Sequence, residues 1–318
     1  MTIAVNRRTM LAGMTGLALT STVLAAKAAR PLFERLGRPI GLQLYTLGDD
    51  PKTDLEGTLT KVAAIGYRDI ELPQLYGLAA KDMRAAADRH GLDLTSIHLA
   101  GATLGQSGDA LTLLSPVQRI VDDLGMLGIS DAVMPIALFP DNFMAAPGKT
   151  FQEKLSAALA QAGEGGWKRT AALLNERAAA LKPHGISLGY HNHNVEFAPV
   201  GKTRGWDILI RETDKKLVSF EVDIGWIAAA GLDPVPFMGR HAGRIRKVHV
   251  KDVQPSTKTN YALAMDPTQV GTGKLDWAHI LPAAAKAGVQ HFYVEQEPPF
   301  TMARIDAAAQ SYRYLAAL

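Results

Sequence analysis

Residues 173–191 read LLNERAAALKPH, then Gly185, then ISLGYH, and this stretch holds one complete structural unit. Leu173 to His184 reads as a helix, and Gly185 stands where a left-handed C-terminal cap is needed. Ile186–His191 reads as a short strand that ends on an imidazole.

The same unit recurs on both sides. Helical stretches from Asp54 to Ile65, Ala79 to His90, Val117 to Leu127 and Trp277 to Ala287 close on Gly66, Gly91, Gly128 and Gly288. Strand candidates fall at Ile40–Leu44, Arg68–Leu72, Leu94–His98, Ala132–Ile136, Ile186–His191, Leu217–Asp223, Ile245–Val250 and Phe292–Glu295. Strands alternating with helices indicate parallel βαβ units. Eight of them in about 280 residues predict an α/β protein, a single (β/α)8 TIM barrel over residues 38–318, in preference to a doubly wound open sheet. Two long connections, Phe139–Trp167 after the fourth strand and Lys251–Gly273 after the seventh, read as irregular segments on the C-terminal face, where such barrels carry their active-site loops.

Composition narrows the chemistry. The chain has 318 residues, is 47% hydrophobic and contains no cysteine. Disulfides, thiolate nucleophiles, iron–sulfur clusters and cysteine-bound zinc are therefore excluded, and any metal must be held by His, Asp, Glu or carbonyl oxygen. The charged fraction is 20% and the net charge +3, with Lys and Arg scattered along the chain, which argues against a nucleic-acid partner.

The first thirty residues differ from the rest. Arg7 and Arg8 precede an apolar run from Leu11 to Ala26, followed by Lys27 and Ala28. That run is shorter and weaker than the ~20 residues of a spanning helix. Residues 1–28 are expected to be a cleaved export signal of the twin-arginine type, in preference to a membrane anchor. The mature protein would then be periplasmic or otherwise exported, met by the twin-arginine export machinery, with no stable membrane insertion after cleavage.

In a TIM barrel the last residues of each strand converge above the barrel mouth. Gln43 and Tyr45, Glu71, and His98 end the first three strands, and His191, His193 and Glu196 follow the fifth. Asp223 ends the sixth with Trp226 just beyond, His249 and Lys251 end the seventh, and Glu295 to Glu297 the eighth. Carboxylates gathered around one cavity call for a cation. Taken singly, each has a blander reading: Asp223 as a helix N-cap, His249 as a satisfied structural imidazole, Glu295 as a turn carboxylate, Glu71 and His98 as structural hydrogen-bonding groups. Gly-x-Gly-x-x-Gly after the first strand, Gly-x-Ser-x-Gly and a Walker loop are absent, and Gly271-Thr272-Gly273 is too short to claim a phosphate.

Six blocks occur in order: Gly41-Leu42-Gln43-Leu44-Tyr45, Tyr190 to Phe197, Glu221 to Trp226, Gly243 through Asp252, Val270 to Gly273, and Val294 to Glu297. Together they resemble the xylose-isomerase-like sugar phosphate isomerase/epimerase family. The resemblance implies one divalent metal ion (Mn, Mg, Co or Zn) held by residues of strands five to eight. Asp223, His249 and Glu295 match three ligands of the family's Glu, Asp, His and Glu set. The strand-five Glu falls near His191, so either His191 replaces it or Glu196 folds back to restore it.

The family's chemistry predicts an isomerase or epimerase acting through an enediolate. Glu295 and His193 (or His191) would move the proton, with Lys251 on a substrate oxygen and Gln43, Glu71, His98 and Trp226 binding the sugar. Histidine in the fifth-strand position makes a keto-sugar dehydratase or 3-keto-glycoside lyase the alternative. Export favours an unphosphorylated keto-sugar or sugar derivative as the small-molecule partner. A non-catalytic sugar-binding protein would not need titratable metal ligands, and a phosphodiesterase like endonuclease IV needs a larger set of them.

Overall fold

The computed structural model describes Met1 and residues 30–101 and 110–318. Apart from Met1, the expected export signal lies outside the described residues.

Eight strands close into a barrel: Gly41–Gln43 (β1), Asp69–Leu72 (β2), Asp93–His98 (β3), Asp131–Met134 (β4), Ser187–His191 (β5), Val218–Asp223 (β6), Ile245–Val250 (β7) and His291–Val294 (β8). Every neighbouring pair is parallel, and β1 meets β8 through Gly41 opposite Tyr293 and Leu42 opposite Val294. Leu42, Ile70, Leu188, Phe220, Val222, Val248 and Phe292 are completely buried and alternate with the polar strand residues. That alternation fixes the register, since a one-residue slip would carry the polar set onto the apolar layer. Each such side chain contributes about 1.5–3 kcal/mol by leaving water.

The helices start and stop where local chemistry dictates. Asp54 accepts from the Gly57 N–H ahead of Leu55–Ile65, and Asp276 from the His279 N–H ahead of Trp277–Ala287. Gly128 and Gly288 close their helices in the left-handed conformation.

One expectation is overturned. Phe139–Trp167 is not irregular throughout, because a helix begins at Phe151 and runs to Leu181, with Gly163 (φ 56°, ψ −150°) breaking it. A capping box starts it, with Thr150 accepting from the Glu153 N–H and Glu153 accepting from the Thr150 N–H. The helix expected from Leu173 is thus the second half of a longer element, and Lys182–His184 form a 3-10 turn closed by Gly185. Lys251–Gly273 is largely irregular, apart from a short antiparallel pairing of Asp252–Val253 with Pro267–Thr268. Among the described residues, no helix is long and apolar enough to cross a membrane.

Toward the N-terminal end of the lumen Lys247 pairs with Asp131 at 3.0 Å and His291 with Asp69 at 2.9 Å, while Phe33, on the short helix Leu32–Leu36, packs edge-on against Phe292 at 5.7 Å on the outer face of β8. Above them the Tyr293 hydroxyl meets Thr95 Oγ1 at 2.7 Å. The opposite end is left for chemistry.

Candidate metal centre

Alternation along β6 turns Glu221 and Asp223 to the same side, Asp223 one step nearer the C-terminal mouth. On β7, His249 stands opposite Asp223 in register. The result is two tiers of ionisable groups.

The upper tier holds Asp223, Glu295 and Lys251. The Lys251 ammonium lies 2.8 Å from both Asp223 Oδ2 and Glu295 Oε2 and 3.1 Å from Glu297 Oε1, and it stands 5.2 Å from the Trp226 ring. Burial disfavours this ammonium, but the charges of Asp223, Glu295 and Glu297 hold its pKa well above the ordinary lysine value. Asp223 also caps the following helix, its Oδ1 accepting from the Trp226 N–H at 2.9 Å, so the capping and the ligand readings are compatible. Gly225 is required beside it, because a Cβ there would stand 2.8 Å from Lys251 Cγ.

The lower tier holds Glu71, Glu221 and His98. Glu221 Oε1 lies 3.0 Å from His191 Nδ1 and 3.1 Å from both His98 Nε2 and His249 Nε2. Glu71 Oε1 lies 2.7 Å from His249 Nε2 and accepts from Gln43 Nε2 at 3.0 Å. Glu71 Oε2 and Glu221 Oε2 are buried with no hydrogen-bond partner. Burial alone would depress His98, but the Glu71 charge and contacts with Glu221 raise it to about 9.

His191 and His249 join the tiers. His191 Nε2 faces Asp223 Oδ2 at 3.9 Å, and His249 Nδ1 lies 2.7 Å from Glu295 Oε2 and 3.7 Å from Asp223 Oδ2. One ligand atom from each of His191, Asp223, His249 and Glu295 falls within a 4.8 Å cluster, and all four are buried. Three carboxylates facing one ammonium leave negative charge for a cation, and oxygen with imidazole donors suits Mn²⁺, Mg²⁺, Co²⁺ or Zn²⁺. These residues fit a divalent ion.

Two of the expected residues stand elsewhere. Glu196 does not fold back into the cluster: it is buried in its own turn, accepting from the Tyr190 hydroxyl at 2.6 Å and from the His193 N–H at 2.9 Å. Burial raises it to about 7. The His193 ring packs 5.0 Å from His191 and 5.4 Å from Trp226, beside the cluster and not in it. Burial, His191 and Lys251 hold it well below the ordinary imidazole value, and its Nδ1 has no hydrogen-bond partner. Sequence reasoning placed Glu221 beside Asp223 without a role and gave none to Glu297. The β6 alternation was the available signal for the first; the second had only its position past β8.

Gly271-Thr272-Gly273 serves a structural purpose. Asp252 Oδ2 accepts from the Gly271 and Gly273 N–H groups and from Trp277 Nε1, at 3.0, 3.2 and 2.9 Å. A Cβ at Gly273 would stand 2.1 Å from Asp252 Oδ1.

The model of the xylose isomerase-like TIM barrel family matches residues 59–318. The chain belongs to this family. A rhizopine catabolism protein of Rhizobium meliloti is 27% identical over 277 residues, covering 81% of each chain. An inosose dehydratase of Geobacillus kaustophilus is 26% identical over 210 residues, 65% of this chain and 64% of its own length. Among solved structures, a sugar phosphate isomerase/epimerase from Parabacteroides distasonis superposes with a TM-score of 0.66 at 24% identity, covering 95% of this chain and 99% of its own. A family barrel from Mycobacterium smegmatis, solved in complex with magnesium, superposes with a TM-score of 0.61 at 15% identity, covering 88% and 95%. The IOLI protein, solved with a zinc atom, gives 0.60 at 14% identity, covering 87% and 96%. At such identities the superpositions show the fold.

Proposed function

We propose that the protein is a divalent-metal-dependent isomerase or epimerase that moves the proton on the carbon beside the carbonyl of an unphosphorylated keto-sugar or keto-polyol. The observation that carries this reading is one buried four-ligand cluster with the Lys251 ammonium against two of its carboxylates and the His193 ring packed beside its His191. His191, Asp223, His249 and Glu295 hold the ion. When bound, it supplies positive charge that acidifies a C–H next to a carbonyl.

The protein's own groups do the rest. Lys251 remains charged and stabilises the oxyanion that develops as the proton leaves. His193, unprotonated and with Nδ1 unengaged, takes the proton. Glu295 is a weak base, because Lys251 and His249 overcome the effect of burial and hold its carboxyl well below the ordinary value. Glu297, raised by burial and only partly offset by Lys251, is the second group able to carry a proton. Gln43, Glu71 and His98 are engaged with one another and with His249, and they line the floor beneath the substrate; Trp226 stands at the wall.

Dehydration is the second reading, favoured by the inosose dehydratase relatives. The same anion would then expel a β-hydroxyl, protonated by His193 as it departs. Incubation of the Mn²⁺-loaded protein with keto-sugars and a keto-inositol in D₂O tests both. Deuterium in recovered substrate or its epimer supports isomerisation, and a rising enone absorbance supports elimination. Neither signal from any of them sinks the proposal.

Export is proposed on the same footing. Changing Arg7 and Arg8 to Lys should abolish periplasmic delivery, and unchanged export would remove the twin-arginine reading alone.

A further inference from the structure

His191 and His249 each have one ring nitrogen in the upper tier and one in the lower. His191 turns Nε2 toward Asp223 and Nδ1 toward Glu221; His249 turns Nδ1 toward Asp223 and Glu295 and Nε2 toward Glu71 and Glu221. A second four-residue group, His98, His191, Glu221 and His249, can therefore also be drawn around a metal ion. It competes with the first for the same imidazoles. A neutral imidazole offers a lone pair on one nitrogen and carries its proton on the other, so only one tier ligates and the other accepts hydrogen bonds.

Three observations decide which. Glu221 Oε1 is hydrogen-bonded to His191 Nδ1 at 3.0 Å and to His98 Nε2 at 3.1 Å, whereas the other nitrogen of His191 stands 3.9 Å from Asp223 Oδ2, beyond hydrogen-bond reach. The amide of Gln43 donates into the same tier, at Glu71 Oε1, where an N–H dipole would oppose a cation. His98, the remaining member of the lower group, is already committed there, its Nε2 lying 3.1 Å from Glu221 Oε1 and 3.3 Å from Glu71 Oε1.

Resting on the metal reading above, we propose that Glu221 is a positioning residue that sets the tautomers of two ligands at once. It accepts the Nδ1–H of His191, and its charge 3.1 Å from His249 Nε2 supports the proton that this nitrogen donates to Glu71, so that His191 Nε2 and His249 Nδ1 are presented to the ion. The two histidines thus ligate through opposite ring nitrogens. Carboxylates behind ligating imidazoles raise ligand basicity and fix ring orientation, and their loss costs about 10–100-fold in metal affinity.

The first test needs no variant. Long-range ¹H–¹⁵N correlation spectra of zinc-loaded protein with ¹⁵N-labelled histidine should show His191 as the Nδ1–H, Nε2-ligated form and His249 as the Nε2–H, Nδ1-ligated form, assigned with His191→Gln and His249→Gln. The reverse pattern overturns the proposal. The second measures zinc affinity by chelator competition. Glu221→Gln should bind one ion about 10–100-fold more weakly while its metal-free Tm stays within a few degrees of wild type. Unchanged affinity overturns the positioning role but leaves the metal reading intact, provided Asp223→Ala loses the ion. Two ions per wild-type chain, falling to one in Glu221→Gln, would make Glu221 a ligand and also overturn it. Wild-type protein that binds no zinc, manganese, cobalt or magnesium removes the metal reading itself.

Discussion

His249 Nε2 lies 2.7 Å from Glu71 Oε1, across the barrel lumen and 178 residues away in the chain. The contact joins β7 to β2, which are not neighbours in the sheet, and ties the floor of the site to one of its proposed ligands. It has a consequence for pH. His98, against the same Glu71 oxygen at 3.3 Å, is raised to about 9 from an ordinary 6.5. A raised imidazole adds stability that is fully present below about pH 6.5 and is lost as pH rises through about 9. Metal-free protein should lose unfolding free energy over that window, and Glu71→Gln should lose less. Urea unfolding at about pH 6 and about pH 10 measures both. Equal pH dependence in the two proteins would contradict the assignment.

Removing Lys251 tests the upper tier. Lys251→Met should lower kcat by about 10²–10³ while metal remains bound, because Asp223 and Glu295 keep their ligand atoms but the oxyanion loses its cation. Steady-state kinetics with metal content by elemental analysis read both quantities. Retained kcat would assign the charge stabilisation elsewhere.

His193 is predicted to act in proton transfer and not in metal binding. His193→Ala should bind the ion as wild type does, yet slow exchange of the substrate α-proton by about 10²–10⁴. Deuterium incorporation followed by NMR gives the rate, and loss of the ion in this variant would place His193 among the ligands.

Glu196 provides the complementary control. Its two carboxylate oxygens are engaged by Tyr190 and the His193 N–H. Glu196→Gln should therefore leave metal stoichiometry at the wild-type value, whereas Asp223→Ala or His249→Ala should abolish stoichiometric binding. Elemental analysis of the three purified variants decides it.

Asp252 makes a prediction about stability. Its buried carboxylate gathers the backbone of residues 271–275 and the indole of Trp277. Asp252→Ala leaves those donors without an acceptor and should cost about 2–4 kcal/mol, read as a lower urea midpoint. A variant as stable as wild type would show that the loop is held by other contacts.

What could be read from the chain follows from the range of the forces involved. The barrel was legible because helix caps and strand alternation are local: Gly128 and Gly288 close their helices as their positions predict, and each of the eight strands lies within two residues of its sequence range. The helix from Phe151 was hidden because Ala, Gly and Pro around Gly163 resemble a loop, and only the Thr150–Glu153 capping box announced it. Asp223, His249 and Glu295 were legible as strand-end residues.

Sequence by itself thus determined the fold and which strands bring ionisable groups to the mouth. Tertiary structure alone decided that Glu196 turns into its own loop, that His191 joins the cluster, and which nitrogen of each histidine faces which carboxylate. Glu196 finds its partners within its own turn, but the histidines depend on Glu221, 30 residues from His191 on the adjoining strand, and Glu71, 178 residues from His249 across the lumen, and those distances are set by the whole barrel and by no single segment.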